Sequence, residues 1–174
     1  TLFSAYITLA QLETLNKGKK INQIVVRWEI GDLCLGVSDI KLYEYCLKHK
    51  IALYRNTRIH LKAFWDNHIT LFFGSANVTG KGIGEKGEYN FELNGLNEQL
   101  SFEDRAYLNK IILESEYVDQ KLYNKKDNLY AWFRFENDIS VQGNALDSGG
   151  KNFDLLSGGT NRPTFLNSAP SSKP

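Results

Sequence analysis

An α/β domain, with a mixed β-sheet flanked by helices on both faces, is the fold class this sequence predicts, on three observations. Apolar runs of strand length alternate with stretches of helical spacing through the first two thirds of the chain. One run, Ile24-Val25-Val26, is continuous and β-branched, as in a strand covered on both faces. Two further runs lie on either side of Asp66-Asn67-His68, close enough to form a hairpin, which makes the sheet mixed rather than wholly parallel.

Taken in order, Leu2 to Leu9 reads as a buried strand, and Ala10 to Leu15 switches to helical spacing that ends at Asn16-Lys17-Gly18-Lys19-Lys20. Ile21 to Trp28 is the next strand, broken at Gly31-Asp32. Ser38 is placed to cap a helix whose apolar positions Ile40, Leu42, Tyr43, Cys46 and Leu47 share a side, and Lys48-His49-Lys50 ends it. Ile51 to Tyr54, Arg58 to Trp65 and Ile69 to Phe73 follow as strands. Gly74 to Gly87 is a glycine-rich loop, and Tyr89 to Leu93 another strand. Ser101 with Asp104 resembles a capping box that opens a helix running to about Glu116. Beyond Tyr117 the pattern weakens, with Leu129 to Phe133 as one more candidate strand. Residues 1–120 are therefore expected to form the main domain, 121–142 a possible further strand or helix of it, and 143–174, rich in Gly, Ser, Asn and Pro, a tail or linker.

The 174 residues suit one domain, and a net charge of +1 leaves no general positive field, so a polyanionic substrate needs a locally basic groove. No window approaches the roughly 18 uninterrupted apolar residues of a membrane span. With no basic leader at the start, the expectation is a soluble, cytoplasmic protein. The absence of methionine, together with an apolar run from residue 2, reads as a piece of a longer polypeptide. Cys34 and Cys46 have no zinc-type spacing and read as buried thiols.

Chemistry concentrates in His60-Leu61-Lys62, Gly74-Ser75-Ala76-Asn77 and Glu92. On an extended strand His60 and Lys62 share a face, so an imidazole and an ammonium converge on one anion while Leu61 turns into packing. Small residues at Gly74 let the backbone, Ser75 and Asn77 come close to the same group. Each residue also has a plainer reading: a satisfied strand histidine, a solvated lysine, turn residues at Ser75 and Asn77, an exposed strand glutamate at Glu92. The joint spacing is what lifts the set above those readings. Gly80-Lys81-Gly82-Ile83-Gly84 lacks the Gly-Lys-Ser/Thr ending of a nucleotide loop and reads as a flexible loop. Lys81, Arg27, Arg55 and Arg58 are candidates for lining a phosphate groove.

These residues resemble the phospholipase D signature, His-x-Lys-x-x-x-x-Asp-x-x-x-x-x-x-Gly-Ser-x-Asn, and the interval from His60 to Gly74 fits it without a gap. The family aspartate would fall at Asn67, with Asp66 carrying the charge beside it. The Asn90-Phe91-Glu92 context selects Glu92 as the downstream acid, with Glu88 in reserve. More broadly, Val25-Val26-Arg27-Trp28, Asp32-Leu33, Gly36, Ser38-Asp39 and Arg58-Ile59-His60 look like the branch that includes phospholipase D-type restriction endonucleases.

The resemblance implies a phosphodiesterase that works without metal or other cofactor, by double displacement. His60 would form a phosphohistidine and a second histidine protonate the leaving oxygen. Lys62 and Asn77 would bind the non-bridging oxygens, with Ser75 assisting, and Glu92 would take the second ring N–H of His60. Of the three histidines, only His60 sits in a His-x-Lys frame, since Lys50 follows His49 directly and His68 lies in the turn. The second histidine is thus expected from another copy of the chain, in a symmetric homodimer with a composite active site. DNA is the expected substrate, with a sequence-reading domain missing from this chain. A lipid phosphodiesterase and a catalytically silent nucleic-acid-binding or scaffold member are the alternatives.

Overall fold

The β-branched run at Ile24 to Val26 becomes a central strand of a seven-stranded mixed sheet. The computed structural model describes residues 1–84, 87, 89–138, 144–145 and 155–156, with side chains as far as residue 130. The strands are β1 (Leu2–Ser4), β2 (Gln23–Val26), β3 (Ala52–Arg55), β4 (Ala63–Trp65), β5 (Leu71–Gly74), β6 (Asn94–Asn97) and β7 (Glu116–Tyr117), in the order β6-β5-β4-β1-β2-β3-β7. β1, β2 and β3 run parallel, whereas β4, β5, β6 and β7 each pair antiparallel with their neighbour.

The parallel crossovers carry α1 (Leu9–Leu15) between β1 and β2, then α2 (Ile30–Cys34) and α3 (Leu42–His49) between β2 and β3. α4 (Gly80–Ile83) and α5 (Phe102–Leu113) flank β6, and α6 (Gln120–Asp138) follows β7. Successive residues of β1 and β2 face opposite sides of the sheet, yet Leu2, Phe3, Ser4, Ile24, Val25 and Val26 are all fully buried, so both faces are covered there. On one face Phe3, Val25, Ala63 and Trp65 form a core cluster with Ile59, Leu100 and Leu108 of α5. Burying each of the larger of these side chains stabilises the fold by about 1.5–3 kcal/mol.

The chain divides into a unit Thr1–Tyr123, which holds this sheet, and a unit Asn124–Pro174. In the latter, β8 (Asn144–Ala145) pairs antiparallel with β9 (Leu155–Leu156), inside the stretch expected to be a tail. The rest of that stretch lies outside the described residues.

Several elements differ from expectation. Gly31-Asp32 is not what ends the strand, which stops at Val26; the pair lies inside α2, where the side chain of Glu29 accepts from the backbone of Asp32 while Asp32 accepts from the Glu29 N–H, a closed capping box. Ser38 caps no helix, since its hydroxyl accepts from the Ile7 N–H at 3.2 Å and ties the two crossover loops together. Arg58 to Lys62 is not strand, and only Ala63–Trp65 pairs with both neighbours. Tyr89 to Leu93 is likewise not strand, the pairing with β5 beginning at Asn94. Leu129 to Phe133, apolar enough for a strand, lies within the helix α6.

The hairpin at Asp66 forms as expected. Asp66 Oδ1 accepts from the backbone N–H groups of His68 at 2.7 Å and Thr70 at 3.0 Å, and Asn67 takes the left-handed conformation at φ 65°. The carboxylate at residue 66 thus organises the turn, and the asparagine at residue 67 suits a backbone conformation few side chains tolerate.

Candidate active site

Strand direction places every candidate residue at one edge of the sheet. The C-terminal ends of β1, β2, β3 and β5 and the N-terminal ends of β4 and β6 all meet there, because β4 and β6 run opposite to β1 and β5. His60 and Lys62 enter β4, Ser75 and Asn77 leave β5, Glu92 enters β6, Tyr6 follows β1 and Arg27 follows β2.

The ladder between β4 and β5 joins the two halves of the motif. Ala63 pairs with Phe73, and one step farther the N–H of Gly74 donates to the carbonyl of Lys62 at 3.0 Å. Gly74 has no room for a side chain: a Cβ there would lie 2.7 Å from the carbonyl oxygen of Leu93 and collide with the Asn94 side chain. A close approach of the segment before β6 therefore requires glycine at this corner.

His60 is exposed, while Lys62 is 9% exposed and its ammonium donates to the His60 carbonyl oxygen at 2.7 Å. Leu61 packs against the core cluster, as its position between them predicts. Burial pulls the Lys62 ammonium below the usual lysine value; the charge of Glu92 opposes that pull and the charge of Arg27 adds to it. Among the described residues the His60 imidazole makes no hydrogen bond, which leaves both ring nitrogens available.

Asn77 is held by its oxygen. Oδ1 accepts from the Tyr6 N–H at 3.2 Å and lies 3.4 Å from the Ser4 hydroxyl, which itself donates to the Tyr6 carbonyl at 2.7 Å. With the oxygen committed to donors, the Nδ2 group has no protein acceptor among the described residues. A bridge between Ile7 and Val78, with the Thr8 N–H donating to the Val78 carbonyl at 2.9 Å, locks the loop after β1 to the loop after β5.

The Ser75 hydroxyl donates to Glu92 Oε2 and accepts from the Leu93 N–H at 3.1 Å; Asn90 Nδ2 donates to the other Glu92 oxygen at 3.2 Å. No hydrogen bond joins Glu92 to His60 in this structure. The glutamate instead braces the corner and supplies the negative charge facing Lys62. Glu88 lies outside the described residues. Among those described, no three His, Cys, Asp or Glu side chains come together as a group that could hold a metal ion.

The arginines of the expected groove are each paired with an acid: Arg27 with Asp32, Arg55 with Glu116 at 3.0 Å and Arg58 with Glu114 at 2.5 Å. Sequence reasoning did not single out Tyr6 and Ser4. Nothing in their local sequence distinguishes them, and their part depends on Asn77, more than seventy positions away in the chain.

No family model matches the chain, and neither does any curated protein. Among solved structures it is similar to the crystal structure of Nuc from Salmonella typhimurium, described as a phospholipase D family member. The two share 16% identity at a TM-score of 0.49, over 68% of this chain and 80% of that one. No helix among the described residues is long and apolar enough to cross a membrane.

Proposed function

We propose that this chain is a phosphodiesterase of the phospholipase D superfamily that cleaves DNA through a phosphohistidine, as the nuclease part of a restriction endonuclease. The observation that carries the reading is the meeting of Lys62, Ser75, Asn77 and Glu92 at one sheet edge, with His60 beside them in solvent. Lys62 Nζ and Asn77 Nδ2 have hydrogens to spare at the same sheet edge as an imidazole that makes no hydrogen bond among the described residues, which is the donor set a phosphoryl group in flight requires.

In the proposed reaction a ring nitrogen of His60 attacks phosphorus, and the bond to the leaving oxygen breaks as the nitrogen–phosphorus bond forms. The leaving oxygen takes its proton from a second imidazole, which then removes a proton from water as the water oxygen displaces His60. Lys62 and Asn77 stabilise the non-bridging oxygens, on which charge grows. The residues need no metal for these steps, because the ammonium and the amide supply the positive field.

The second imidazole is the His60 of another copy. Phe91 and Leu93, 96% and 83% exposed on either side of Glu92, give that copy an apolar surface to cover at the edge of the site. A symmetric homodimer with one shared centre follows.

The test is plasmid DNA incubated in excess EDTA with the chain and, in parallel, with His60→Ala. Cleavage by the unsubstituted chain alone supports the reading, and cleavage that needs a divalent cation removes the mechanism. Hydrolysis of a phospholipid with DNA left intact assigns the lipid activity instead. Light scattering of an active sample at micromolar concentration reads the assembly: a monomer contradicts the shared site.

A further inference from the structure

The residue whose backbone N–H holds Asn77 carries, together with Arg27, a second pair of anion donors that the reaction above leaves unused. Tyr6, whose N–H holds Asn77, accepts through its hydroxyl oxygen a hydrogen bond of 2.9 Å from Arg27 Nη2. The guanidinium carbon also stands 4.7 Å from the centre of the Tyr6 ring. Asp32, 4% exposed, grips the same guanidinium from behind, taking Nε at 2.8 Å and Nη2 as well. Three hydrogen bonds to two residues thus fix the fork, and among the described residues neither Nη1 nor the Tyr6 hydroxyl proton has an acceptor. Arg27 keeps 26% of its side-chain exposure and Tyr6 is half-buried.

The backbone at this place is held in an unusual conformation. Trp28, directly after Arg27, has φ 48° although it is a bulky residue and fully buried. Its indole N–H donates to the Asp39 carbonyl at 3.0 Å. A left-handed tryptophan costs of order 1–3 kcal/mol and persists only where its surroundings over-determine it. The turn it makes takes the chain out of β2 directly after Arg27, whose guanidinium is then set beside Tyr6 and within electrostatic reach of Lys62. The Asp32 carboxylate also closes the α2 capping box, and it fixes the arginine that stands beside the tyrosine hydroxyl.

We infer that Arg27 and Tyr6 hold the phosphate next to the scissile one, so that the substrate is a polynucleotide strand with at least two successive phosphodiesters. The inference rests on the phosphodiesterase reading for the location of the scissile group. A nucleic-acid strand presents a phosphate at every step, about 3.4 Å apart along the axis of a duplex strand, so a group bound at Lys62 and Asn77 brings a neighbour to the adjoining donors. With Nε and Nη2 already engaged, Nη1 and the Tyr6 hydroxyl proton each offer a donor to the oxygens of one phosphate, and the guanidinium stays charged at any working pH. A phospholipid with a single phosphodiester has nothing to place there.

Binding of thymidine oligomers to a His60→Ala chain, which cannot turn them over, tests this directly. The trinucleotide TpTpT should bind about tenfold tighter than the dinucleotide TpT, as one added charge-assisted contact predicts. Tyr6→Phe, which keeps the ring and the Arg27–Asp32 pair, should remove most of that gain. Arg27→Met should remove it too and make the plot of log affinity against log salt shallower by about 0.7. If Arg27→Met fails to fold with Asp32 unpaired, Tyr6→Phe decides alone. Equal affinity for the two oligomers, or a gain that survives the substitutions, overturns the inference. Plasmid cleavage by the unsubstituted chain tests the catalytic reading separately: a chain that cuts DNA but shows no gain keeps its catalysis and loses this subsite, and one that shows the gain but never cuts does the reverse.

Discussion

Gly74 and Lys62 lie opposite each other across the β4–β5 ladder, the Gly74 N–H donating to the Lys62 carbonyl at 3.0 Å. This one bond sets the distance between the ammonium that enters β4 and the serine and asparagine that leave β5. A side chain at Gly74 meets the Leu93 carbonyl and Asn94 before it meets solvent. Gly74→Ala is therefore expected to cost about 1–3 kcal/mol of stability and to loosen Ser75 from Glu92. Denaturant melts and turnover of a phosphodiester substrate, compared at equal folded fraction, measure both; unchanged activity counts against the corner as part of the site.

Asn77→Asp separates the amide's two jobs. The oxygen that accepts from Tyr6 N–H is kept, so the fold should survive with a small change in Tm. Loss of the Nδ2 donor, with a negative charge in its place, should lower kcat by about 10²–10³-fold. A variant with normal kcat removes Asn77 from the proposed reaction.

Lys62 is expected to limit activity on the alkaline side, at a pH below that of an ordinary lysine, because burial holds its folded-state value down. The sign for stability follows from proton uptake. Between the lowered folded value and the ordinary unfolded value the unfolded chain binds more protons, so stability contributed by this group rises with pH across that window. Lys62→Met should abolish that rise along with activity. Urea melts from pH 7 to 10.5 read it, and parallel slopes for the two chains contradict the burial of a charge.

Glu92→Gln keeps both hydrogen-bond acceptors' positions near Ser75 and Asn90 in part but removes the charge that supports Lys62. With that opposing influence gone, the alkaline limb of the pH–rate profile should move to lower pH. A limb that stays in place shows that Glu92 does not act through Lys62, whatever happens to the rate.

Gly82 touches the site from outside it. A Cβ there would press into the backbone of Asn77, with the Asn77 nitrogen at 3.1 Å and its carbonyl oxygen closer still. Gly82→Ala should displace Asn77 and raise KM or lower kcat roughly tenfold for a cost of about 1.4 kcal/mol in transition-state binding. Kinetics on the same phosphodiester substrate check this, and full activity shows that the loop yields without moving Asn77.

The sequence by itself determined the alternation of strands and helices, the hairpin at Asp66 and the spacing that pairs His60-Leu61-Lys62 with Gly74-Ser75-Ala76-Asn77. These are local matters: side-chain periodicity, turn chemistry and a two-stranded register all act between residues near one another in the chain. Where elements end was decided by tertiary contacts, as when Glu92 proved to stand before β6 rather than within a strand, and Ser38 bonded to Ile7 instead of capping α3. Only the folded chain brought Ser4 and Tyr6 to Asn77, and Arg27 to Tyr6, because strand order places sequence-distant ends at one edge. A hydrogen bond between groups far apart in the chain leaves no periodic trace, so the support behind the motif became visible only when the sheet had assembled.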